Sequence, residues 1–347
     1  MGNVLTYSGL TTKTRAMQSR LITEKQIEEI LHFTSLSTVG AYLKKTEEYK
    51  DELQDLDETL ADRETLENRI RISVFQNFSR LYHFAGQRQR KFLDLYGKRY
   101  EIRVLKELIT NIFDHRKTSF PNLTPYEIYF YRHSGLDLKK LSACSTMEEL
   151  IYALKGKEYF IPLSAAAEGE DPKPFDYSMA LDLYYFSLIW KERKKLFKGD
   201  ELKEITRGFG EQFDMLNLQF LRRSMRHAGT LHKNITDLLI PVHYKLKEAE
   251  LKALAEAGSR EEFDRIFETT WYGRKFKESE EFSLETFFNY LLRVTLTRQA
   301  KKDPYSVATL FSYLYLKERE VTQLIIAVEC VSYGTPPEEA IRYIRSN

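Results

Sequence analysis

The chain has 347 residues, 42% of them hydrophobic and 30% charged, with only 15 glycines and 9 prolines. A chain of that length buries about three quarters of its unfolded surface, and the composition excludes the disordered, collagen-like and disulfide-stapled classes. The 53 basic and 51 acidic side chains leave a net charge of +2, so no global field draws the molecule to nucleic acid or to a membrane.

At the start, Met1 to Leu10 has no charged region followed by an apolar core, so no signal peptide is expected. Gly2 to Thr6 fits the loose M-G-x-x-x-[ST] myristoylation pattern, which short sequences match by chance. The first proline is Pro121. A proline-free stretch of that length suits long helices, because an interior proline costs about 3 kcal/mol. The acidic run from Asp51 to Glu67 lacks DDxxD and EF-hand spacing and reads as a solvated face or loop. From Leu66 to Ile112 the apolar positions keep helical spacing (Leu66, Ile70, Val74, Phe78, Leu81; then Phe92, Leu95, Ile102, Leu105, Leu108), with Gly86 marking a break between two helices. Ser119–Pro125, Ser164–Pro174, Gly229–Lys233, Gly258–Ser259 and Gly334–Pro337 carry the remaining turn signals. Alternating strand patterns are missing. The predicted fold class is all-α.

Two short elements recur three times. Thr46-Glu-Glu-Tyr49 with Leu53 is repeated as Gly156-Lys-Glu-Tyr159 with Leu163 and as Thr269-Thr-Trp-Tyr272 with Phe276. Each follows a short amphipathic segment opened by a candidate N-cap, Ser37/Thr38, Ser145/Thr146 or Ser259. The second element is an acid, an apolar neighbour and a leucine one helical turn on: Glu101-Ile102-x-x-Leu105, Asp214-Met215-x-x-Leu218 and Glu320-Val321-x-x-Leu324. Recurrence in the same order and at similar spacing marks an internal triplication, with units at 1–118, 119–229 and 230–347. Each unit would hold a short helix, a turn fixed by an aromatic residue, and a long helical pair with one apolar face to bury. Closure around a pseudo-threefold axis and stacking as an open arc are both compatible with the pattern.

No catalytic constellation emerges. Seven histidines are scattered; Glu29-Ile-Leu-His32 is a single ExxH step where a di-iron bundle needs two, and His227 and His232 are five apart, off the spacing of a zinc helix. There is no P-loop, GxSxG or GxGxxG, so neither cofactor nor metal is expected and the chain is read as no enzyme in itself. Cys144 and Cys330 have no ligand spacing and read as reduced thiols of a cytosolic protein. The longest apolar stretch, Leu324–Val331, is too short to span a bilayer and carries Glu329. Two basic clusters remain. Arg88, Arg90, Lys91, Lys98, Arg99, Arg103 and Lys106 share one helical stretch, while Arg222, Arg223 and Arg226 close the second unit's acid-leucine helix. Positive charge there complements the helix dipole; an acidic protein partner is the sharper use for these three arginines.

Lys317-Glu-Arg-Glu320-Val321 followed by Glu329-Cys330-Val331 resembles the C-terminal helix of the d subunit of the vacuolar ATPase, whose family includes the C subunit of V-type (A-type) ATP synthases. Lys13, Arg15, Met17 and Leu21-Ile22 resemble its first helix, and Ser35–Tyr49 its Ser/Thr-capped short helix ending in T-x-x-Y. Gly156 and Asp214 depart from the pattern, standing where the other units have threonine and glutamate. The resemblance covers the whole chain and implies a non-catalytic rotor subunit: a pseudo-threefold funnel of helices that seats the central stalk on the membrane proteolipid ring. It also implies a peripheral place on the cytoplasmic face of a membrane, with no direct insertion and no nucleic-acid partner. The competing readings are an α-helical repeat scaffold for a cytosolic complex, against which the long units argue, and an all-α enzyme with an unrecognised cofactor pocket.

Overall fold

The computed structural model describes residues 2–57, 62–116, 120–225, 235–277 and 283–346. Among these every regular element is helical: α1 (Gly2–Gln18), α2 (Glu24–Ile30), α3 (Leu36–Lys44), α4 (Arg63–Phe84), α5 (Gln87–Phe113), α6 (Phe120–His133), α7 (Leu138–Ser142), α8 (Met147–Ala153), α9 (Phe160–Ala167), α10 (Pro174–Leu196), α11 (Gly199–Ser224), α12 (Glu248–Glu256), α13 (Arg260–Thr269), α14 (Trp271–Lys277), α15 (Leu284–Lys302), α16 (Val307–Tyr333) and α17 (Pro337–Ser346), with a 3-10 turn at Ile235–Leu238. The all-α expectation holds.

Helix boundaries follow local chemistry. Thr23 and Gln26 form a capping box on α2, Asp62 accepts from the Thr65 N–H to open α4, and Thr146 and Ser259 cap α8 and α13. The cap of α3 is Ser35 rather than Ser37 or Thr38; Thr38 is the residue whose N–H it receives. Gly86 separates α4 from α5 as its spacing predicts. Gly334 ends α16 at φ 65°, a left-handed conformation that favours glycine, and Pro336 and Pro337 follow. Ser119–Pro125 is not a loop over its length, since α6 begins at Phe120. Pro121 sits in the first turn, where its missing N–H costs nothing, while Pro125 leaves the Pro121 carbonyl without a helical donor. The Ser164–Pro174 loop is shorter than expected, because α9 reaches Ala167 and Pro174 occupies the first position of α10. Gly229–Lys233 lies outside the described residues.

The chain divides into two compact units. The first comprises Met1–Lys155 and Thr297–Asn347. In it α4 packs on α6 and on α16, and α16 also receives α1, α2, α3 and α17. Its centre is aromatic: Phe75, Phe78, Tyr100 and Tyr129 stand edge-on or tilted at centroid distances of 5.0–6.0 Å, a geometry that aligns ring edges with ring faces. Gly97 is required beside them, because a Cβ there would come within 2.4 Å of the Tyr129 hydroxyl.

The second unit spans Gly156–Leu296. There α10 packs on α9 and α11, and α12, α13 and α14 follow one another in contact. Phe186, Phe209, Phe213 and Trp190 fill the α10–α11 seam. Phe263, Phe267, Phe276 and Phe287 fill the space beneath α13 to α15.

Candidate functional site

All nine repeat-signature residues are buried: Tyr49, Tyr159 and Tyr272, Glu101, Asp214 and Glu320, and Leu105, Leu218 and Leu324. The leucines belong to the apolar seams of α5, α11 and α16, and the acids lie one turn before them on the same helices. A buried carboxylate costs several kcal/mol unless its oxygens are satisfied, so the partners of these acids show what the signature does.

Glu320 is satisfied on both oxygens. Oε1 accepts from the Ile22 backbone N–H at 2.7 Å, in the turn between α1 and α2. Oε2 accepts from the Tyr49 hydroxyl at 3.0 Å and from Lys317 Nζ at 2.7 Å. Lys317, one turn earlier on α16, also reaches Glu48 Oε1 at 2.6 Å and the Tyr49 hydroxyl at 3.1 Å. Asn77 on α4 donates to Glu48 in turn. Burial works against a charged Lys317, but Glu320 and Glu48 outweigh it and hold its pKa above the ordinary lysine value. Burial among these carboxylates pushes the Tyr49 hydroxyl far up, so it remains a donor. One cation, two carboxylates and a phenol thereby fasten α16 to α4, to the turn after α3 and to the α1–α2 junction.

Asp214 is solved differently. Its carboxylate accepts from the backbone N–H groups of Tyr244, Lys245 and Leu246 at 3.2, 2.6 and 3.0 Å, and from the Tyr272 hydroxyl at 3.0 Å. Burial still raises its pKa, against the pull of those donors. Here no lysine is used, and the shorter aspartate fits where the chain itself presents three N–H groups. Tyr49 and Tyr272 therefore bind signature acids. Tyr159 occupies the N-cap position of α9 and stands edge-on to Tyr184 at 5.8 Å. The turn before it holds Gly156 at φ 82°, which accounts for glycine in the place of threonine. At the other two positions the threonines bond back one turn, Thr46 to the Leu43 carbonyl and Thr269 to the Ile266 carbonyl.

The acidic run is not a uniform solvated face. Asp51, Asp55 and Asp57 are exposed, but Glu52 and Glu67 are buried, Glu67 between Arg63 and Arg71 at 2.8 and 2.9 Å. Residues 58–61 lie outside the described residues. Of the first basic cluster, Arg99 is engaged by Glu318 at 2.6 Å and lies over the Tyr96 ring, and Arg90 bonds to the Tyr82 carbonyl. In the second, Arg223 is exposed in the last turn of α11, and Arg222 is half-buried with its Nε lacking a partner among the described residues. Arg226, His227 and His232 lie outside the described residues. His32 is exposed and Glu29 accepts from Tyr42. Cys330 is buried and Cys144 half-buried, both as free thiols. Among the described residues no cluster of metal-ligating side chains forms and no helix is long and apolar enough to cross a membrane.

The sequence reading missed Lys317 as counter-ion, Glu48 and Asn77 as its supports, and the 244–246 backbone as the seat of Asp214. Signals existed for two of these: Glu48 directly precedes the signature Tyr49, and a lysine stands three residues before two of the signature acids, Lys98 before Glu101 and Lys317 before Glu320.

These features define an all-helical protein whose buried polar groups lock helices to one another. Comparison with known proteins specifies which one. The chain belongs to the ATP synthase (C/AC39) subunit family, whose profile matches residues 10–343, and is accordingly a non-catalytic subunit of a V/A-type ATPase complex. It is 26% identical over 341 residues to the C subunit of the A-type ATP synthase of Thermococcus kodakarensis, covering 96% of this chain and 88% of the relative. The corresponding proteins of Methanocaldococcus jannaschii and Archaeoglobus fulgidus are each 23% identical, over 96% and 98% of this chain and 84% and 96% of theirs.

Proposed function

We propose that the chain is the rotor adaptor of its complex, seating the central stalk on the membrane proteolipid ring and passing torque between them during rotary ion transport. The full-length match to the ATP synthase (C/AC39) subunit family carries this reading. The interior supports it, because an adaptor under torque must not shear, and charged and phenolic groups buried across helices resist sliding more than an apolar seam does. In this reading the three repeats, 1–118, 119–229 and 230–347, form the walls of a pseudo-threefold funnel. The adaptor sits peripherally on the cytoplasmic face of the membrane, held there by the ring. Arg222, Arg223 and Arg226 meet an acidic surface of a neighbouring protein in the complex.

A tagged pull-down from gently solubilised source membranes, read by native mass spectrometry, tests the reading. Recovery of the chain with a proteolipid ring, stalk subunits and ATP-hydrolysing head subunits supports it. Recovery of soluble partners alone, beside an intact ATPase that lacks the chain, overturns it in favour of the scaffold reading. For the arginines, the triple change to alanine is expected to weaken assembly and coupled turnover; wild-type values for both would remove them from the interface.

A further inference from the structure

In the first unit, a cavity of 640 Å³ opens where the C-terminal ends of α4 and α6 meet the start of α5. Three guanidinium groups line it, each from a different helix: Arg80, Arg90 and Arg132. His83 and His133 join them, and no carboxylate is among the described lining residues, the Asp94 carboxylate lying behind the wall against Tyr82 and Arg90. Dipoles at two helix C-termini favour some positive charge here, and Arg90 meets that need by bonding the Tyr82 carbonyl at 3.1 Å. Arg80 is half-engaged, bonded to the Asn77 side chain at 2.9 Å with Asp51 and Glu52 each 3.7 Å away. Arg132 is exposed and bonds to no acid among the described residues. Like charges gathered around one concavity repel each other, and an anion placed among them relieves that repulsion.

We propose that this cavity binds a small anion carrying two or more phosphoryl groups, recognised by Arg132 together with Arg80 and His83. The volume exceeds what a single oxyanion fills and lies in the range of small-molecule sites. Guanidinium groups approaching from three helices suit tetrahedral phosphoryl groups, which accept from several directions; one guanidinium already serves a planar carboxylate. The ring of Tyr82, under the Arg90 guanidinium at 5.2 Å, and the exposed Phe84 give the wall an aromatic face. The proposal is independent of the rotor reading, since it concerns a ligand of the chain itself.

Calorimetric titration of the purified full-length chain with pyrophosphate, ATP and inorganic phosphate, at matched ionic strength, tests it. A polyglutamate peptide stands in for an acidic protein segment. Pyrophosphate and ATP are expected to bind saturably and more tightly than phosphate. Arg132→Gln should weaken both roughly tenfold, the loss expected for a charge-assisted bond, with the thermal midpoint of the free protein unchanged. Tighter ATP than pyrophosphate binding would make the nucleoside part of the ligand, and equal binding would assign recognition to the phosphoryl groups; either supports the site. Absence of saturable binding by any phosphoryl compound overturns it. So does affinity untouched by both Arg132→Gln and His83→Gln, or binding of the acidic peptide alone.

Discussion

The hydroxyl of Tyr49 donates to Oε2 of Glu320 at 3.0 Å across 271 residues of sequence, and Tyr272 makes the equivalent bond to Asp214 across 58. Each bond joins a signature tyrosine to a signature acid far along the chain, and each closes a buried contact between segments that no local rule pairs.

Removing the cation should be the most damaging single change at the Glu320 site. Lys317→Met leaves Glu48 and Glu320 buried without their counter-charge, and breaking a buried ion pair from one side costs about 3–5 kcal/mol. Adding Glu48→Gln should recover part of that loss, since one uncompensated charge disappears with it. Urea unfolding midpoints of the two singles and the double measure this coupling. Strict additivity would mean that the three groups do not act as a unit.

At Asp214 the order of damage should differ. Tyr272→Phe removes one hydrogen bond and is expected to cost about 1 kcal/mol. Asp214→Ala strands three backbone N–H groups as well as the phenol, for about 3 kcal/mol. Asp214→Asn should fall between, because the amide oxygen still accepts from part of the set. Equilibrium unfolding of the three variants gives the ranking; equal losses for phenylalanine and alanine would show that the 244–246 backbone finds other acceptors.

The helices and several of their caps were legible because each rests on local chemistry: apolar spacing for α4 and α5, hydroxyl caps at Thr146 and Ser259, glycine at Gly86 and Gly334. The cap of α3 was misplaced because Ser35, Ser37 and Thr38 are all competent acceptors, and only the extended backbone at Ser35 selects one. Which acid each tyrosine would bind was not legible, since no local rule links Tyr49 to a residue on α16. The burial of Glu52 was hidden for a related reason. It sits in a run whose neighbours face solvent, and helices brought from elsewhere in the chain cover it.

That burial has a pH consequence. Neither carboxylate oxygen of Glu52 has a hydrogen-bond partner among the described residues. Desolvation pushes its pKa above the ordinary 4.5, with Arg80 offsetting part of the rise and Glu48 adding to it. A carboxyl whose folded pKa is raised favours the folded state below its unfolded value, and that contribution is lost as pH rises through the folded value. Glu52→Gln keeps the shape and removes the ionisation. The variant should be more stable than the parent near about pH 7.5 and should lose that advantage by about pH 4. Thermal midpoints across this range decide it; a constant difference at all pH values would show that Glu52 is equally ionised in both states.

The junction of α13 and α14 carries the last expectation. A Cβ on Gly273 would lie 2.0 Å from the Phe267 carbonyl oxygen and 2.6 Å from Glu268 Cα. Both obstacles are backbone, so no rotamer change relieves them, and Gly273→Ala should cost about 3 kcal/mol through a forced shift of α14. The shift would not remain local. Tyr272 is the preceding residue, and moving it draws its hydroxyl away from Asp214, which in turn loosens the N–H groups of Tyr244, Lys245 and Leu246. Hydrogen exchange at those three amides should therefore accelerate in Gly273→Ala by more than the global loss of stability explains. Gly9→Ala is the contrasting control: its Cβ meets nothing within 4 Å, and within α1 the change should stabilise by about 0.5–1 kcal/mol. Unaltered exchange at residues 244–246 in a destabilised Gly273→Ala would separate the α13–α14 junction from the Asp214 anchor.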